Sequence, residues 1–389
     1  MRIVDVKETT IGTGEKRSNA MMDFSDMTTG LVAVVTDVVR NGRPVVGYGF
    51  SGTGRYSLNS ICRERMIPRL LAAKPDSLLN DAGDNFDPFR AWACMMQKEK
   101  PGGHGDCAVA VATLDMAIWD AAAKIAGEPL YAFLSRRYGT GEIPDRVPVY
   151  VGGGYYAPGR GLAELQDEIR GHLDDGFTIV KMKIGGAPLA EDLRRMEAVL
   201  QVLPADRLAV DSNGRFELKE ALAYAEALAP YRLRWFEEPG YPLDFELHAE
   251  VSRRYGGPLA TGENLMSTWD ARNLLRYGGM RPAKDYLQFD CALSYGICEY
   301  IRTIAMVEEA GWSRRRLYPH GGHLLSLQIT AGLGLGGTEA YPRTHQPVGG
   351  FTDGLAIADG YVGLPALPGM GFEGKANFYR AVKALGAEG

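Results

Sequence analysis

The chain has 389 residues, of which 46% are hydrophobic and 23% are charged. A chain of this length exceeds what a single hydrophobic core usually holds, so we expect at least two substructures. Its 43 Lys and Arg residues against 48 Asp and Glu give a formal charge of -5. No basic stripe is present either, which argues against nucleic-acid and membrane-surface partners.

The sequence predicts neither a secretory signal at the amino terminus nor a membrane-spanning segment in the interior. The amino terminus lacks an apolar stretch behind a basic start, and the longest uncharged run, 317–338, contains two His and six Gly. Five cysteines without a CxxC pair argue against a disulfide framework or a cysteine zinc site. We therefore expect free thiols in a cytoplasmic protein.

The first part of the chain predicts an α+β domain over residues 1–140. Residues 31–39 and 44–50 are rich in strand-forming residues and flank Asn41-Gly42, a dipeptide favoured in tight hairpin turns. From Ser57 to about Ser135 the pattern becomes helical. Its clearest stretch, 107–125, is rich in alanine and is followed by Gly127 and Pro129.

Eight short apolar runs follow, separated by seven helical stretches. The runs lie at 147–152, 178–184, 207–211, 233–237, 258–262, 286–290, 316–319 and 338–341. This alternation predicts an α/β fold, a closed (β/α)8-type barrel over residues 141–346 whose last unit is modified because it lacks an obvious helix. Residues 347–389 predict a hairpin near 355–364 and a helix over 375–385, and we expect this C-terminal segment to return to the first domain as part of a cap.

An ionisable residue recurs at the carboxyl end of seven successive strands. These residues are Lys183, Asp211, Glu237, Glu263, Asp290, His320 and Glu339. A single strand-end charge usually faces solvent, but a series in phase with the strand repeat is expected to meet on one rim. The carboxyl-end rim is where barrels of this type carry their active sites.

Alternation along the second barrel strand sends Lys181 and Lys183 to one face and Val180, Met182 and Ile184 to the other. The apolar face has to meet the helices, so both lysines are expected to point into the barrel. Mutual repulsion between two buried ammonium groups is expected to lower the pKa of each and to prepare one as a base.

The remaining members of the series predict a metal site and an acid. Asp211, Glu237 and Glu263 converge from three consecutive strands, and an all-oxygen set of this kind favours Mg²⁺ over zinc. Asp290 is expected to orient and charge the His320 imidazole, which gives a second acid or base opposite the lysines.

Asn213 and Glu238 lie within two residues of the expected ligands and predict supporting groups for the metal site. The reading that both are ordinary solvent-facing loop residues remains open.

Taken in this order, the residues resemble those of the mandelate racemase branch of the enolase superfamily. The resemblance covers nearly the whole chain and rests on LDMAIWD at 114–120, VKMK at 180–183, VDSNG at 210–214, FEEP at 236–239 and TGEN at 261–264. It implies a Lys183 base assisted by Lys181, Mg²⁺ that stabilises an ene-diolate, and a His320 acid. It also implies that Glu339 lies near the substrate carboxylate and that cap loops around 13–27 and 50–56 cover the site.

Within that branch, three segments are similar to those of D-tartrate dehydratases: 98–105, 289–296 and 319–323. The similarity implies dehydration of D-tartrate to oxaloacetate, with Lys100 reaching from the cap to the distal carboxylate, by a homo-oligomer acting on a small hydroxy acid. The alternative for Lys100 is a solvated charge run at a helix end. The alternative activities are another acid-sugar dehydratase or an epimerase.

Two readings from other classes are disfavoured. Residues 47–52 and 332–337 match the GxGxxG pattern of nucleotide-binding oxidoreductases, but neither has the strand and helix context that a dinucleotide site needs. A catalytically silent binding protein would have no need to keep Lys183, the three carboxylates and His320 together.

Overall fold

The computed structural model describes residues 1–102, 105–157 and 159–386. Its first sheet has three antiparallel strands in the order β1-β2-β3, spanning Ile3–Gly12, Thr28–Arg40 and Arg43–Phe50. Asn41 and Gly42 join β2 to β3 with φ angles of 50° and 74°. Positive φ at both positions is the requirement of a tight hairpin turn, and it confirms the predicted one.

Helices cover one face of this sheet. Those of the cap are α1 (Asn59–Ile61), α2 (Ile67–Ala72), α3 (Pro88–Met95), α4 (Asp106–Ala126) and α5 (Leu130–Tyr138), with a π-helical turn at Cys62–Met66 and a 3₁₀ turn at Pro75–Leu78. Helix α4 packs directly on β3. A Cβ atom on Gly47 would lie 1.9 Å from the Ala117 carbonyl oxygen, and one on Gly49 would lie 2.2 Å from that of Thr113. The glycines at 47 and 49 therefore serve close packing of helix on strand.

The second part of the chain forms the predicted barrel. Its strands are β4 (Arg146–Gly153), β5 (Val180–Lys183), β6 (Leu208–Asp211), β7 (Trp235–Glu237), β8 (Leu259–Thr261), β9 (Tyr286–Leu287) and β10 (Thr338–Ala340). Consecutive strands from β4 to β9 pair in parallel, Leu317 bridges Leu287, and β10 pairs with β4. The Leu317 carbonyl accepts from the Gly336 backbone N–H at 3.0 Å and the Pro319 carbonyl from that of Glu339 at 3.5 Å, so the predicted run at 316–319 connects β9 to β10. The barrel is thus closed, and the expected fold class is confirmed.

Seven helices lie outside the barrel strands, as the alternation predicted. They are α6 (Leu162–Asp174), α7 (Leu189–Leu200), α8 (Leu218–Leu228), α9 (Phe245–Arg254), α10 (Thr268–Tyr277), α11 (Ile297–Glu309) and α12 (Leu324–Leu333), with 3₁₀ turns at Ala205–Arg207, Ala229–Tyr231 and Arg314–Arg316. No helix follows β10 directly; the chain continues into irregular structure.

The last residues divide between the barrel and the cap, so the expectation that the whole of 347–389 returns to the cap holds for its final helix but not for its hairpin. Strands β11 (Ile357–Ala358) and β12 (Tyr361–Gly363) form a hairpin that adds to β4 in antiparallel orientation. A 3₁₀ turn at Phe372–Gly374 precedes α13 (Ala376–Gly386), whose Phe378 and Val382 are buried in the same core cluster as Leu31 of β2.

No helix in the described part of the chain has the combination of length and apolar character needed to cross a bilayer. The five cysteines are all free thiols.

Candidate active site

Strand β5 places two lysines inside the barrel. Val180 and Met182 pack in the apolar layer between strands and helices, whereas Lys181 and Lys183 face inward and are 0% and 4% exposed. Lys181 Nζ lies 2.6 Å from Glu237 Oε1 and 3.0 Å from Glu339 Oε1. Lys183 Nζ forms an ion pair with Asp211 Oδ2. The alternation of the strand therefore orients both side chains as expected.

The expected lowering of the lysine pKa values is wrong. Burial lowers the pKa of Lys181, but the carboxylates of Glu237 and Glu339 outweigh it and hold this pKa well above its ordinary value. Burial likewise opposes the charge on Lys183, and Asp211 outweighs it, so that its pKa is also raised. Each ammonium lies closer to carboxylates than the repulsion argument assumed, and attraction exceeds repulsion.

Three carboxylates converge beside the lysines. Asp211, Glu237 and Glu263 each offer an oxygen, and these oxygens all lie within 4.8 Å of one another. All three residues are buried. Glu263 Oε2 has no hydrogen-bond partner among the described residues. An unpartnered buried carboxylate oxygen within such a group is a ligand atom that a bound cation would satisfy.

Electrostatics also favour a cation there. Burial and the neighbouring charge of Asp211 raise the pKa of Glu237 to about 8. Burial and Glu263 raise the pKa of Glu238 well above its ordinary value. The carboxyl groups thus outnumber the positive charges that face them, and an all-oxygen donor set of this charge fits Mg²⁺.

Asn213 and Glu238 lie against the triad in strained backbone conformations, with φ angles of 50° and 42°. The Asn213 backbone N–H donates to Asp211 Oδ1 at 2.8 Å, and its side-chain amide donates to Oδ2 at 3.2 Å. Glu238 Oε1 accepts from Asn264 Nδ2 at 2.9 Å. Non-glycine residues held at positive φ are often found at functional sites.

On another part of the rim, His320 pairs with Asp290. The distance between His320 Nδ1 and Asp290 Oδ2 is 2.7 Å. Burial disfavours the imidazolium, but Glu263 and Asp290 outweigh burial and raise the pKa of His320 to about 10. The adjacent Gly321 has a φ of 111°, and a Cβ there would lie 2.5 Å from His323 Nε2. The imidazole is therefore oriented and charged, as expected of an acid.

Glu339, on the last barrel strand β10, is the remaining ionisable side chain of the predicted rim. Its Oε2 accepts from the Gly321 backbone N–H at 3.4 Å, and its side chain is fully buried. Lys181, His320 and Lys183 outweigh the effect of burial and lower its pKa. Glu339 is thus an ionised carboxylate between the lysines and the imidazole.

A cavity of about 340 Å³ opens over these groups. Its wall includes Lys183, Asn213, Glu263, Asn264 and His320 from the barrel, with Tyr155, Leu293, Tyr341 and His345, and with Asn19, Met21, Met22, Phe24, Thr53, Gly54 and Arg55 from the cap. Both expected cap loops, 13–27 and 50–56, contribute residues to it.

Several wall residues were not foreseen from the sequence. Tyr155 and Tyr341 follow barrel strands β4 and β10, and this position was the signal that could have identified them. The predicted series contains residues that are charged or titrate near neutral pH, and a neutral phenol is not one of them. Arg55 and Asn264 lie in loops, and Arg55 donates to Asn264 Oδ1 at 3.1 Å.

Lys100 is not brought to this cavity. It is exposed and lines a different groove with Trp92, Trp269 and Arg302. Gly103 and His104 of the same segment lie outside the described residues.

Comparisons with known proteins agree with this architecture. Residues 164–377 match the family described as enolase C-terminal domain-like. The 3,6-anhydro-alpha-L-galactonate cycloisomerase of Streptomyces coelicolor is 31% identical, over 90% of each chain. The arabinonate dehydratase of Saccharolobus solfataricus is 27% identical, over 87% of each chain.

A crystal structure of a racemase from Streptomyces coelicolor with bound magnesium superimposes with a TM-score of 0.77 at 24% identity. The alignment covers 98% of this chain and 99% of the racemase, which shows a shared fold. With the family match extending over more than half of the sequence, the chain belongs to the enolase superfamily, in its mandelate racemase and muconate lactonizing enzyme-like branch.

Proposed function

We propose that this protein is a Mg²⁺-dependent acid-sugar dehydratase and that its substrate is D-tartrate, which it converts to oxaloacetate and water. The observation that carries the proposal is the presence, in one cavity wall, of a buried lysine and of an imidazole paired with a carboxylate, both next to an acidic triad. A dehydratase of this kind needs a base for the α-proton and an acid for the departing hydroxyl.

Lys183 is the proposed base. Mg²⁺ held by Asp211, Glu237 and Glu263 would supply positive charge that stabilises the negative charge developing on the substrate carboxylate. Lysine must be neutral to accept a proton, and the Asp211 ion pair is what keeps Lys183 charged. We therefore expect Lys183 to act as a base only when that carboxylate is engaged elsewhere.

His320 is the proposed acid. The Asp290 carboxylate is hydrogen-bonded to Nδ1 of His320, so Nε2 is the ring nitrogen that can give up a proton toward the cavity. Protonation of the 3-hydroxyl lets the C3–O bond break with its electron pair on the departing water. The remaining enol takes up its keto form as oxaloacetate.

Arg55 supports a substrate with two carboxylates. Arg55 lines the cavity and donates to the amide oxygen of Asn264 at 3.1 Å, and no carboxylate of the described residues lies within ion-pair distance of it. An arginine that is partly shielded from water and lacks an acidic partner favours an anionic ligand group. We therefore assign the distal carboxylate to Arg55, and the earlier assignment to Lys100 becomes the alternative.

The test is a screen of acid sugars with purified protein and Mg²⁺, read out as keto-acid formation. We expect D-tartrate to give oxaloacetate. Keto acid from a different acid sugar alone would leave a dehydratase with another substrate. Epimer or cyclised product without keto acid would contradict dehydration, and the 31% identical cycloisomerase makes this comparison necessary.

A further inference from the structure

Two tyrosines line the cavity, one beside each proposed catalytic group. Tyr155 lies on the side of Lys183, whose Nζ is 5.5 Å from the centre of the phenol ring. Tyr341 lies on the side of His320, and its hydroxyl oxygen is 3.3 Å from His320 Nε2. The phenol of Tyr341 thus contacts the imidazole nitrogen that has to release the proton.

Other oxygen atoms that could accept the proton on His320 Nε2 lie farther from it than the Tyr341 hydroxyl. Among the described residues, the carboxylate oxygens of Glu263 and Glu339 lie 3.8 and 3.9 Å from it, beyond hydrogen-bond distance. Because Asp290 occupies Nδ1, the hydroxyl of Tyr341 is the protein group placed to accept the Nε2 proton.

The position of the Tyr341 ring is fixed by its surroundings. Its backbone N–H donates to the Gly322 carbonyl at 3.0 Å, and a Cβ on Gly322 would lie 2.7 Å from the ring. The ring also packs against that of His345, with 4.7 Å between their centres. A phenol held in this way has little freedom to leave the imidazole, which is the geometry that a defined proton path requires.

We propose that Tyr341 is a catalytic residue that relays the proton from His320 to the departing hydroxyl. The Tyr341 O–H proton passes to the hydroxyl oxygen as the carbon–oxygen bond breaks, and the electron pair leaves with the new water. The Nε2 proton of His320 passes to the Tyr341 oxygen, which leaves a neutral imidazole and an intact phenol. This inference rests on the proposed dehydratase function.

The test compares two rates in the same sample, α-hydrogen exchange with deuterated water and keto-acid formation from D-tartrate. Tyr341→Phe removes the relay oxygen and leaves Lys183 in place. We expect the ratio of exchange to dehydration to rise by about 100-fold or more, the range typical of a lost acid–base group. The ratio reports only on folded, active molecules, so partial misfolding of the variant does not affect it.

Tyr318→Phe is the matched control, because Tyr318 lies in the same barrel but packs among Trp235 and Tyr286 away from the cavity. It should leave the ratio unchanged. The double variant Tyr341→Phe/His320→Asn should match His320→Asn alone, since two members of one relay act as a unit.

An unchanged ratio in Tyr341→Phe, or a double variant slower by the product of the single effects, would overturn the relay. A wild-type protein that dehydrates no acid sugar would instead overturn the proposed function. The two failures are therefore distinguishable.

Discussion

The two ends of the barrel interior differ in composition although the same strands build both. Toward the amino ends of the strands, Tyr150, Ala209, Trp235 and Ala260 form a buried cluster with Tyr286 and Tyr318 packed against it. Two residues further along the strands, the interior carries buried charges instead, at Asp211 after Ala209 and at Glu237 after Trp235.

The difference separates what stabilises the fold from what performs the chemistry. Burial of aromatic and aliphatic surface stabilises the amino end. Burial of like-charged carboxylates costs stability unless a cation offsets it, so the charges at the carboxyl end are explained by function. Hydrogen bonds join the layers: Trp235 Nε1 donates to Glu237 Oε2 at 2.7 Å, and Gln288 Nε2 donates both to the Tyr150 hydroxyl at 3.2 Å and to Glu237 Oε2 at 2.8 Å.

The largest expected effect is at Lys183. Lys183→Ala should lower kcat for dehydration and the rate of α-hydrogen exchange together, by about 10³-fold or more, because Lys181, the other lysine beside the triad, is fully buried while Lys183 lies in the cavity wall. Lys183→Arg should be equally inactive, since guanidinium does not give up its proton. Circular dichroism checks that both variants fold. Retained α-hydrogen exchange in either folded variant would show that the base is another residue.

The charged layer at the carboxyl end of the barrel could be predicted from sequence periodicity, because strand geometry fixes which side chains share a face. Lys181 and Lys183 alternate with Val180 and Met182 for that reason alone. The sequence could not predict the raised lysine pKa values, which depend on distances such as the 2.6 Å between Lys181 and Glu237.

Loops were harder to predict than strands. The sequence favoured Lys100 for the distal carboxylate, whereas the structure brings Arg55 to the cavity wall. Loop conformation follows no period, so a charged residue in a loop cannot be assigned to a site from its spacing.

Metal removal should affect the charged end selectively. A chelator should abolish turnover, and Mg²⁺ should restore it and raise the melting temperature, because a ligand that binds only the folded state stabilises it. Glu263→Gln should lose most of the melting-temperature rise. Tyr286→Leu, at the apolar end, should keep the rise with Mg²⁺ while lowering the baseline stability, because the Tyr286 ring packs against Trp235 and Tyr318. Full activity in metal-free protein would contradict the metal site.

The cap offers a smaller, substrate-dependent effect. Arg55→Gln should lower kcat/KM for a diacid by about 10- to 100-fold, the value of one charge-assisted hydrogen bond, with little change for a monoacid. Lys100→Gln, which changes the same charge in the separate groove, is the matched control and should have little effect. A loss of kcat/KM for the diacid in Lys100→Gln but not in Arg55→Gln would show that Lys100, and not Arg55, binds the distal carboxylate.

The smallest effect concerns a buried carboxylate outside the barrel interior. Asp115 of α4 accepts hydrogen bonds from the backbone N–H groups of Ile297 and Cys298, at the start of α11. Burial, which outweighs these hydrogen bonds, raises the pKa of Asp115 to about 7. The folded state therefore keeps a proton that the unfolded state loses near pH 4.

The stabilisation from this proton is complete below about pH 4 and is lost as the pH rises through about 7. Between pH 5 and pH 8 the free energy of unfolding should therefore decrease more for wild type than for Asp115→Asn. At about 1.4 kcal/mol per pKa unit, the difference between the two decreases is a few kcal/mol at most. Urea unfolding at both pH values measures this, with the exposed Asp26→Asn as control. Parallel pH profiles of wild type and Asp115→Asn would refute the assignment.

The measurement that tests the division of labour between Lys183 and His320 most directly is proton NMR in deuterated water with D-tartrate and Mg²⁺. Wild type should release oxaloacetate. His320→Asn should place deuterium at the α-carbon while releasing little oxaloacetate, since its base remains and its acid is lost, provided that the lysine proton exchanges with solvent before it returns. Wild-type protein that accumulates a deuterated epimer of tartrate and no oxaloacetate would contradict the account.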